Sequence, residues 1–309
     1  MSMPHLSRSS HPPPPQARKK PSKLFRSLHR LLRSVLLVPS MLKVQVRSHE
    51  HKDRTPHQKP GRLASIPETS EKEAAAFPEI RASCEVSGTV RRVIYTGSVS
   101  AASPLKEDDT GFKDSIDESC WTPLHLSYDR FHDFLKAYLW SKTLSEKELL
   151  MANEKAERGL EVVSLTCALV GGDAIVPHTP LSVEAMVSPV TGKKLHHVGM
   201  RFLQAILGSV PLVHIDDVCE ALVFCMERES MAGRFLCAVA YPTMQDIVDH
   251  YAEKYPQLPI LIREVEGEGT RIPCSSTKLE EMGFKYKYSV EQILEGSVEC
   301  AKRLGAIEA

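Results

Sequence analysis

The stretch RRVIYTGS, residues 91–98, decides the fold that this 309-residue sequence predicts. Its β-branched and aromatic residues, bounded by a basic pair and a Gly-Ser pair, are typical of a buried strand. A helical pattern precedes it over residues 70–88, and a polar loop follows over 104–127. A second helical pattern covers 133–158, and the β-rich apolar run LEVVSLTCALVGG covers 160–172. Strands separated by helical segments predict a parallel α/β sheet.

The rest of the sequence continues with smaller elements. Residues 213–230 predict a short strand that turns into a helix, with Asp216 or Asp217 as the helix cap. Residues 233–240, GRFLCAVA, predict another strand. Three later pairs have the spacing of a helix capping box: Thr243 with Asp246, Thr277 with Glu280, and Ser289 with Gln292. We therefore expect a compact α+β portion after the sheet.

The first 68 residues differ from the rest in composition. Residues 1–62 hold fourteen Lys/Arg and two Asp/Glu, although the whole chain has a formal net charge of zero. Proline-rich and polar runs predict a disordered tail around a short basic amphipathic helix at residues 24–35. Three interpretations stay open: an unstructured tail without a selected role, an organelle transit peptide, and weak contact with acidic membrane or nucleic acid.

Composition narrows the class of protein. Hydrophobic residues make up 42% and charged residues 25%, as in globular proteins. No apolar run approaches the roughly 20 residues of a membrane span. The eight cysteines form no C-x-x-C, so we predict reduced thiols and no metal site. We expect a cytoplasmic protein, with an organelle as the alternative, and no nucleic-acid partner. His196 and His197 are predicted at the surface.

The helical stretch AYLWSKTLSEKELL, residues 137–150, carries the chemistry. Tyr138 and Lys142 are four residues apart, so both lie on one helix face. A neighbouring ammonium favours a phenolate and lowers the pKa of a tyrosine. Ser98, at the end of its strand, can bond a substrate oxygen. Reduction of a carbonyl needs these groups and a hydride, which no side chain supplies. The alternative is an exposed tyrosine and lysine on a solvated helix face.

Together the motifs resemble the plant dihydroflavonol reductase and anthocyanidin reductase family. This is a branch of the extended short-chain dehydrogenase/reductases, in the NAD-dependent epimerase/dehydratase superfamily. HC-toxin reductase-like proteins look like the nearer cousins. The resemblance runs from about Ser70 to the C-terminus and rests on six stretches: RRVIYTGSVSAA, DESCW, YLWSKTLSEKE, VSPVTGKK, VHIDDVCEALVF and CSSTKLEEMGFKYKYSVEQILEG. It implies an incomplete Rossmann-like parallel sheet over 69–172 and a substrate-binding C-terminal portion over 173–309, after the tail 1–68.

The resemblance also implies site residues and a cofactor. Ser98, Tyr138 and Lys142 fall on the catalytic positions of the family. Tyr138 and Lys142 would also contact the cofactor, which is NADP by resemblance. The residues expected to line its nicotinamide are Cys167, Ala168, Leu169 and Val170. The substrate would be a small-molecule carbonyl, flavonoid-like or another secondary metabolite. Two departures stand out: Cys167 replaces a usual proline, and SAAS follows Ser98 where dihydroflavonol reductases carry an asparagine.

One family motif is not found in the sequence. The G-x-x-G-x-x-G turn brings backbone close to the cofactor phosphates. Before Ser98 there are only Gly61, Gly88 and Gly97, none of them three apart. We therefore expect the strand 91–98 to have an open edge, with self-association and low stability as consequences. The alternative to an active reductase is a truncated, inactive remnant, an interaction module or a faulty gene model.

Overall fold

The described part of the chain begins just before the first predicted strand. The computed structural model describes residues 82–84, 86–87, 89–128, 131–154 and 160–308. The predicted disordered tail and its amphipathic helix lie outside these residues, as does most of the helix predicted over 70–88. Within that predicted helix, residues 82–84 and 86–87 are helical.

A three-stranded parallel sheet, in the order β1-β2-β5, carries the site. Strand β1, Arg92–Ser98, pairs along its whole length with β2, Glu161–Cys167, and brings Ser98 opposite Cys167. Strand β2 pairs in turn with β5, Gly233–Cys237. The α/β prediction with an incomplete parallel sheet is confirmed. Among the described residues β1 is an edge strand, because only β2 pairs with it.

The run predicted as one strand over 160–172 is divided in two. After β2 the Ala168 N–H donates to the Cys237 carbonyl at 3.0 Å. The chain then enters β3, Leu169–Gly171, which pairs in parallel with β4, Leu212–His214, in a separate small sheet. The prediction of a single strand is wrong. The break at Ala168 depends on a partner strand far away in the sequence, and a local apolar pattern does not contain it.

Helices flank the two sheets. Helix α1 follows the polar loop and contacts β1 and β2, and a short 3₁₀ turn, Val99–Ala101, follows β1 directly. After β1, the described α helices in chain order are α1 Asp133–Glu154, α2 Leu181–Met186, α3 Ser188–Thr191, α4 Lys194–Leu207, α5 Ile215–Glu227, α6 Met244–Lys254, α7 Lys278–Glu281 and α8 Val290–Arg303. The main hydrophobic core runs through the sheet and the C-terminal portion, and a small second cluster joins Leu149 of α1 to Val162 of β2.

Two of the three predicted capping boxes form. The Thr243–Asp246 box caps α6 and the Ser289–Gln292 box caps α8. The third prediction is wrong, because Thr277 makes no side-chain cap bond at α7. Its hydroxyl donates instead to Glu281 Oε1 at 2.7 Å, one turn further along.

The predicted aspartate cap of α5 is also wrong. The cap is His214, whose Nδ1 accepts the Asp216 N–H at 3.1 Å. Asp217 is fully buried and accepts the backbone N–H groups of Lys287 and Tyr288, at 3.0 and 3.3 Å. The Tyr288 ring stacks on His214, with ring centroids 3.6 Å apart. The carboxylate therefore holds the segment that leads into α8, which the local sequence around Asp217 does not indicate.

The remaining sequence predictions have mixed outcomes. His197 is not at the surface: it is 3% exposed, with Nε2 donating to the Glu264 carbonyl at 2.7 Å and Nδ1 lying 2.8 Å from Ser188 Oγ. All eight cysteines are reduced thiols, as predicted. Within the described ranges no cluster of His, Cys, Asp or Glu could hold a metal ion. Nor does any helix described here have the length and apolar character to cross a membrane.

Candidate functional site

Ser98 lies where β1 ends and the 3₁₀ turn begins. Its hydroxyl caps the turn, accepting from the Ser100 N–H at 3.3 Å and from the Ser100 hydroxyl at 3.0 Å. The same hydroxyl is hydrogen-bonded to Tyr138. Because Ser98 Oγ already accepts from Ser100, its own hydrogen is directed at the tyrosine oxygen. The predicted serine–tyrosine pair is therefore assembled, with Ser98 as the donor.

Tyr138 is half-buried on α1, and its pKa is raised above the usual value of 10. Burial is the largest cause, because it penalises the phenolate. The bond from Ser98 acts in the opposite direction and lowers the pKa, and the nearby Cys167 thiol raises it. Lys142 is not among the causes of this shift, so its predicted lowering of the pKa stays a prediction. Tyr138 carries its proton at neutral pH.

Lys142 lies beside the Tyr138 ring and contacts β1. Its Nζ lies 5.9 Å from the ring centroid of Tyr138 and 5.2 Å from that of Tyr95, so the ammonium is close to both rings. The ammonium donates to the Thr96 carbonyl at 3.2 Å. Sequence reasoning missed both Tyr95 and Thr96 as neighbours of this lysine, although both belong to the RRVIYTGS motif. Only the pairing of helix and strand reveals them.

The Thr96 carbonyl belongs to the open side of β1. Carbonyl directions alternate along a strand, and the Arg91 carbonyl, just before β1, accepts from Glu161 N–H at 2.9 Å. Carbonyls at odd positions therefore face β2, and that of Thr96 faces away from it. No described strand pairs with that side. Lys142 thus reaches from the site to the sheet edge.

The four residues expected to line a nicotinamide differ in exposure. Cys167 and Ala168 are buried, at 5% and 6% exposure. Leu169 and Val170 are half-buried. Cys167 lies beside both Ser98 and Cys237 in the sheet register. This end of β2 is therefore next to the serine and tyrosine, and the lining role of the four residues stays a prediction.

The site residues fit one end of a nicotinamide dinucleotide. Two hydroxyls and an ammonium, from Ser98, Tyr138 and Lys142, can bond the hydroxyls and amide of a nicotinamide riboside. The diphosphate end needs backbone that is open to a ligand.

The glycines near the carboxyl ends of β1 and β3 do not provide such backbone. A Cβ at Gly97 would lie 3.0 Å from Ser164 Oγ, and one at Gly171 would lie 2.6 Å from Ile293. A Cβ at Gly172 would lie 2.4 Å from His214 Nε2. These glycines make room for the chain's own side chains. Among the described residues, these three glycines therefore form no open cradle for phosphates.

A parallel α/β sheet that presents serine, tyrosine and lysine at one place defines the short-chain dehydrogenase/reductase class. Comparison with protein-family models gives no match. Similar proteins nevertheless exist. A putative anthocyanidin reductase from Ginkgo biloba is 33% identical over 226 residues, which make up 73% of this chain and 65% of that protein.

Solved structures of reductases are also similar to this chain. The crystal structure of vestitone reductase from alfalfa (Medicago sativa) has a TM-score of 0.61 at 30% identity, covering 77% of this chain and 73% of that one. The NADPH complex of yeast methylglyoxal/isovaleraldehyde reductase shares the fold, with a TM-score of 0.55 at 21% identity, covering 76% and 71%. The chain belongs to the plant anthocyanidin reductase and dihydroflavonol reductase family of extended short-chain dehydrogenase/reductases. It spans about two thirds of its curated relatives, 65% in the Ginkgo case.

Proposed function

We propose that the protein is an NADP-dependent reductase of a carbonyl group on a flavonoid-like or other secondary metabolite. The observation that carries the proposal is the hydrogen bond between Ser98 and Tyr138 at the end of β1, with the Lys142 ammonium on the same helix face. When bound, the nicotinamide supplies the hydride. The chain's own residues hold the carbonyl oxygen and deliver the proton.

Tyr138 is the proton donor in this proposal. A raised pKa keeps the phenol protonated at neutral pH, which suits donation to a developing alkoxide. Ser98 donates to the substrate oxygen in place of its present bond to Tyr138. An ammonium nearer the phenol oxygen would stabilise the phenolate left after transfer. Lys142, one turn after Tyr138, would have that role and would also hold the ribose of a bound cofactor.

The similar proteins support the cofactor and the substrate class. The names anthocyanidin reductase and vestitone reductase describe reduction of plant secondary metabolites by those proteins. NADPH is bound in the structure of the yeast reductase that shares the fold. Two hydroxyls and an ammonium at the candidate site suit the nicotinamide end of the same cofactor.

Titration of the full chain with NADPH tests the proposal. We expect saturable binding, followed by nicotinamide fluorescence or calorimetry, and consumption of NADPH with a flavonoid ketone. Tyr138→Phe should keep binding and lose turnover, and Lys142→Met should weaken binding. Lys136→Met, a lysine of the same helix paired with Asp133, is the matched control. Absence of binding at millimolar NADPH would contradict the proposal.

A second candidate is a non-catalytic interaction module. It is favoured by the side of β1 that no described strand pairs with, and by strand-end glycines that pack against the chain's own side chains. An exposed strand edge offers backbone donors and acceptors to another chain. Concentration-dependent association in sedimentation, together with no binding of NADPH or NADH, would favour this candidate. Saturable NADPH binding by a monomer would exclude it.

A further inference from the structure

A buried ion pair lies beneath the candidate site. Glu146 Oε2 accepts from Arg234 Nη2 at 2.9 Å, and Glu146 Oε1 accepts from Arg234 Nε at 3.1 Å. The guanidinium thus holds the carboxylate by two bonds, the strongest geometry for this pair. The side chains are 0% and 4% exposed. Because Glu146 is on α1 and Arg234 is in β5, the pair ties the helix to the sheet.

The carboxylate lies against the strand that carries Ser98. Glu146 Oε1 also accepts the Thr166 hydroxyl of β2 at 2.5 Å. A Cβ at Gly97 would lie 3.1 Å from the same oxygen, so the carboxylate contacts β1 one residue before Ser98. Only glycine leaves that space. The distance between helix and strand is therefore set at the point next to the serine.

The same carboxylate is on the helix face of the other two site residues. Glu146 is one turn after Lys142 and two turns after Tyr138, positions that share a face of a helix. Any displacement of Glu146 from β1 would carry Tyr138 with it. The bond between Tyr138 and Ser98 spans the same helix–strand gap.

The guanidinium holds the segment that follows the serine. Arg234 Nη2 donates to the Ala101 carbonyl at 3.0 Å, and Nη1 donates to the Cys120 carbonyl. Ala101 ends the 3₁₀ turn that Ser98 caps. The Trp121 ring covers the guanidinium, with the central carbon 3.8 Å from the ring centroid. One side chain thus fixes the turn, the polar loop and the helix relative to each other.

Stability alone is a weak reason for such a pair. Well-packed apolar residues of similar volume are often as stabilising as a buried ion pair, because desolvation offsets the attraction. Here the pair also links the Tyr138 helix to β2, to the turn that Ser98 caps and to the polar loop. We propose that Glu146 and Arg234 are positioning residues, which set the distance between the Ser98 and Tyr138 hydroxyls. This inference deepens the proposed function and rests on it for its kinetic readout.

The test is the uncharged double variant Glu146→Gln/Arg234→Met in the full chain. The matched control is Glu148→Gln/Arg263→Met, which removes one exposed carboxylate and one exposed guanidinium. The direct readout is the ionisation of Tyr138, taken as the tyrosinate absorbance of each protein minus that of the same protein with Tyr138→Phe. Thermal unfolding is followed in parallel, together with kcat and KM for NADPH-dependent reduction.

We expect the double variant to fold and to ionise Tyr138 at higher pH than the wild type, because the Ser98 bond that favours the phenolate is weakened. The kcat should fall on the order of 10- to 100-fold, with KM nearly unchanged, as for a misplaced proton donor. The control should change none of these. A folded double variant with an unchanged or lower ionisation midpoint overturns the proposal.

A conservative variant decides the case in which the double variant does not fold. Arg234→Lys keeps the positive charge but loses the fork that reaches Ala101 and Cys120. We expect it to fold and to raise the Tyr138 midpoint, and an unchanged midpoint overturns the proposal. The ionisation readout needs no cofactor. If the wild type does not bind NADPH, the proposed function fails. The positioning role is then still tested by the ionisation midpoint of Tyr138.

Discussion

The Lys142 ammonium donates to the Thr96 backbone carbonyl at 3.2 Å, and this bond joins the candidate site to the side of β1 that no described strand pairs with. The lysine that the proposed reaction needs near a phenol and a ribose is bound to the sheet edge. Exposed strand edges in native proteins often carry lysine, which opposes pairing with another chain. The bond to the edge and the proposed role at the phenol and ribose therefore fall on the same ammonium, which has three N–H donors.

Replacing this lysine should expose the edge. We expect Lys142→Met to shift the protein towards dimers or larger species, because the Thr96 carbonyl loses its donor while the site loses a repelling charge. Sedimentation velocity at several concentrations measures this, and the apparent association should strengthen several-fold. Lys136→Met on the same helix should leave the distribution unchanged. An equally monomeric Lys142→Met would show that the lysine does not protect the edge.

The hydrogen bond from Ser98 should affect the pH at which Tyr138 ionises. The pKa of this tyrosine is raised by burial and lowered by the bond from Ser98. Ser98→Ala removes the lowering contribution, so ionisation should move to still higher pH. Tyrosinate absorbance, read as the difference from Tyr138→Phe, measures it. Ser119→Ala, at an exposed serine outside the site, is the control. A lower midpoint in Ser98→Ala would contradict the assigned donor direction.

The rate of the proposed reduction should depend on the ionisation of Tyr138. In the reduction direction Tyr138 must carry its proton, so the raised pKa predicts a rate that persists above neutral pH and declines only when the phenol ionises. Ser98→Ala should lower kcat and extend the alkaline limb to higher pH. The pH profile of kcat measures both effects. An alkaline decline in kcat that already begins near neutral pH would contradict the prediction, because a tyrosine with a raised pKa keeps its proton there.

Much of the sheet was predictable because its signals are local. The strand at 91–98 and the helix that carries Tyr138 both have the apolar pattern of their element, and both form. The position of Ser98 at a strand end follows directly. The partners were not predictable: the Ala168 break, the Thr96 carbonyl beside Lys142 and the buried Arg234 each depend on a chain segment distant in sequence.

The sequence pattern partly indicates the buried pair of Glu146 and Arg234. Glu146 stands on the same helix face as the two predicted site residues, where a solvated carboxylate would not be expected. Arg234 interrupts an apolar strand, GRFLC. A charge at each of two inward positions indicates a buried pair, but the pattern alone does not say that the two meet.

Asp217 should make stability fall as the pH rises. Burial, partly offset by the Lys287 and Tyr288 N–H bonds, raises the pKa of this carboxyl from 3.8 to about 6. Between those values the folded chain binds a proton that the unfolded chain has lost, so the free energy of unfolding decreases with rising pH. The penalty is absent below about pH 4, complete above about pH 7, and worth about 3 kcal/mol at most.

Asp217→Asn tests this assignment, because the amide oxygen still accepts the Lys287 N–H while the charge is removed. Relative to the wild type, the variant should gain about 2 to 3 kcal/mol between acidic and neutral pH. Urea unfolding of both proteins at the two pH values gives the difference. Asp249→Asn, at an exposed carboxylate, should give little change with pH. A pH-independent difference for Asp217→Asn would refute the buried-charge penalty.

Two glycines should respond to alanine in opposite directions. At Gly97 a Cβ would lie 3.1 Å from Glu146 Oε1 and 3.3 Å from the Thr166 backbone, so the helix or a strand must shift. Such overpacking costs about 1 to 3 kcal/mol of unfolding free energy. At Gly199, in α4, a Cβ would lie 3.5 Å from Ala185, an ordinary contact. There alanine should stabilise by about 0.5 to 1 kcal/mol through helix propensity.

Urea unfolding of Gly97→Ala and Gly199→Ala measures both effects. Gly97→Ala should also raise the ionisation midpoint of Tyr138, because the shift moves Ser98 away from the helix, and Gly199→Ala should leave it unchanged. A destabilised Gly97→Ala with normal Tyr138 ionisation would mean that the strand yields without moving Ser98. The helix–strand distance at Gly97 would then be independent of the site, contrary to the role assigned to Glu146.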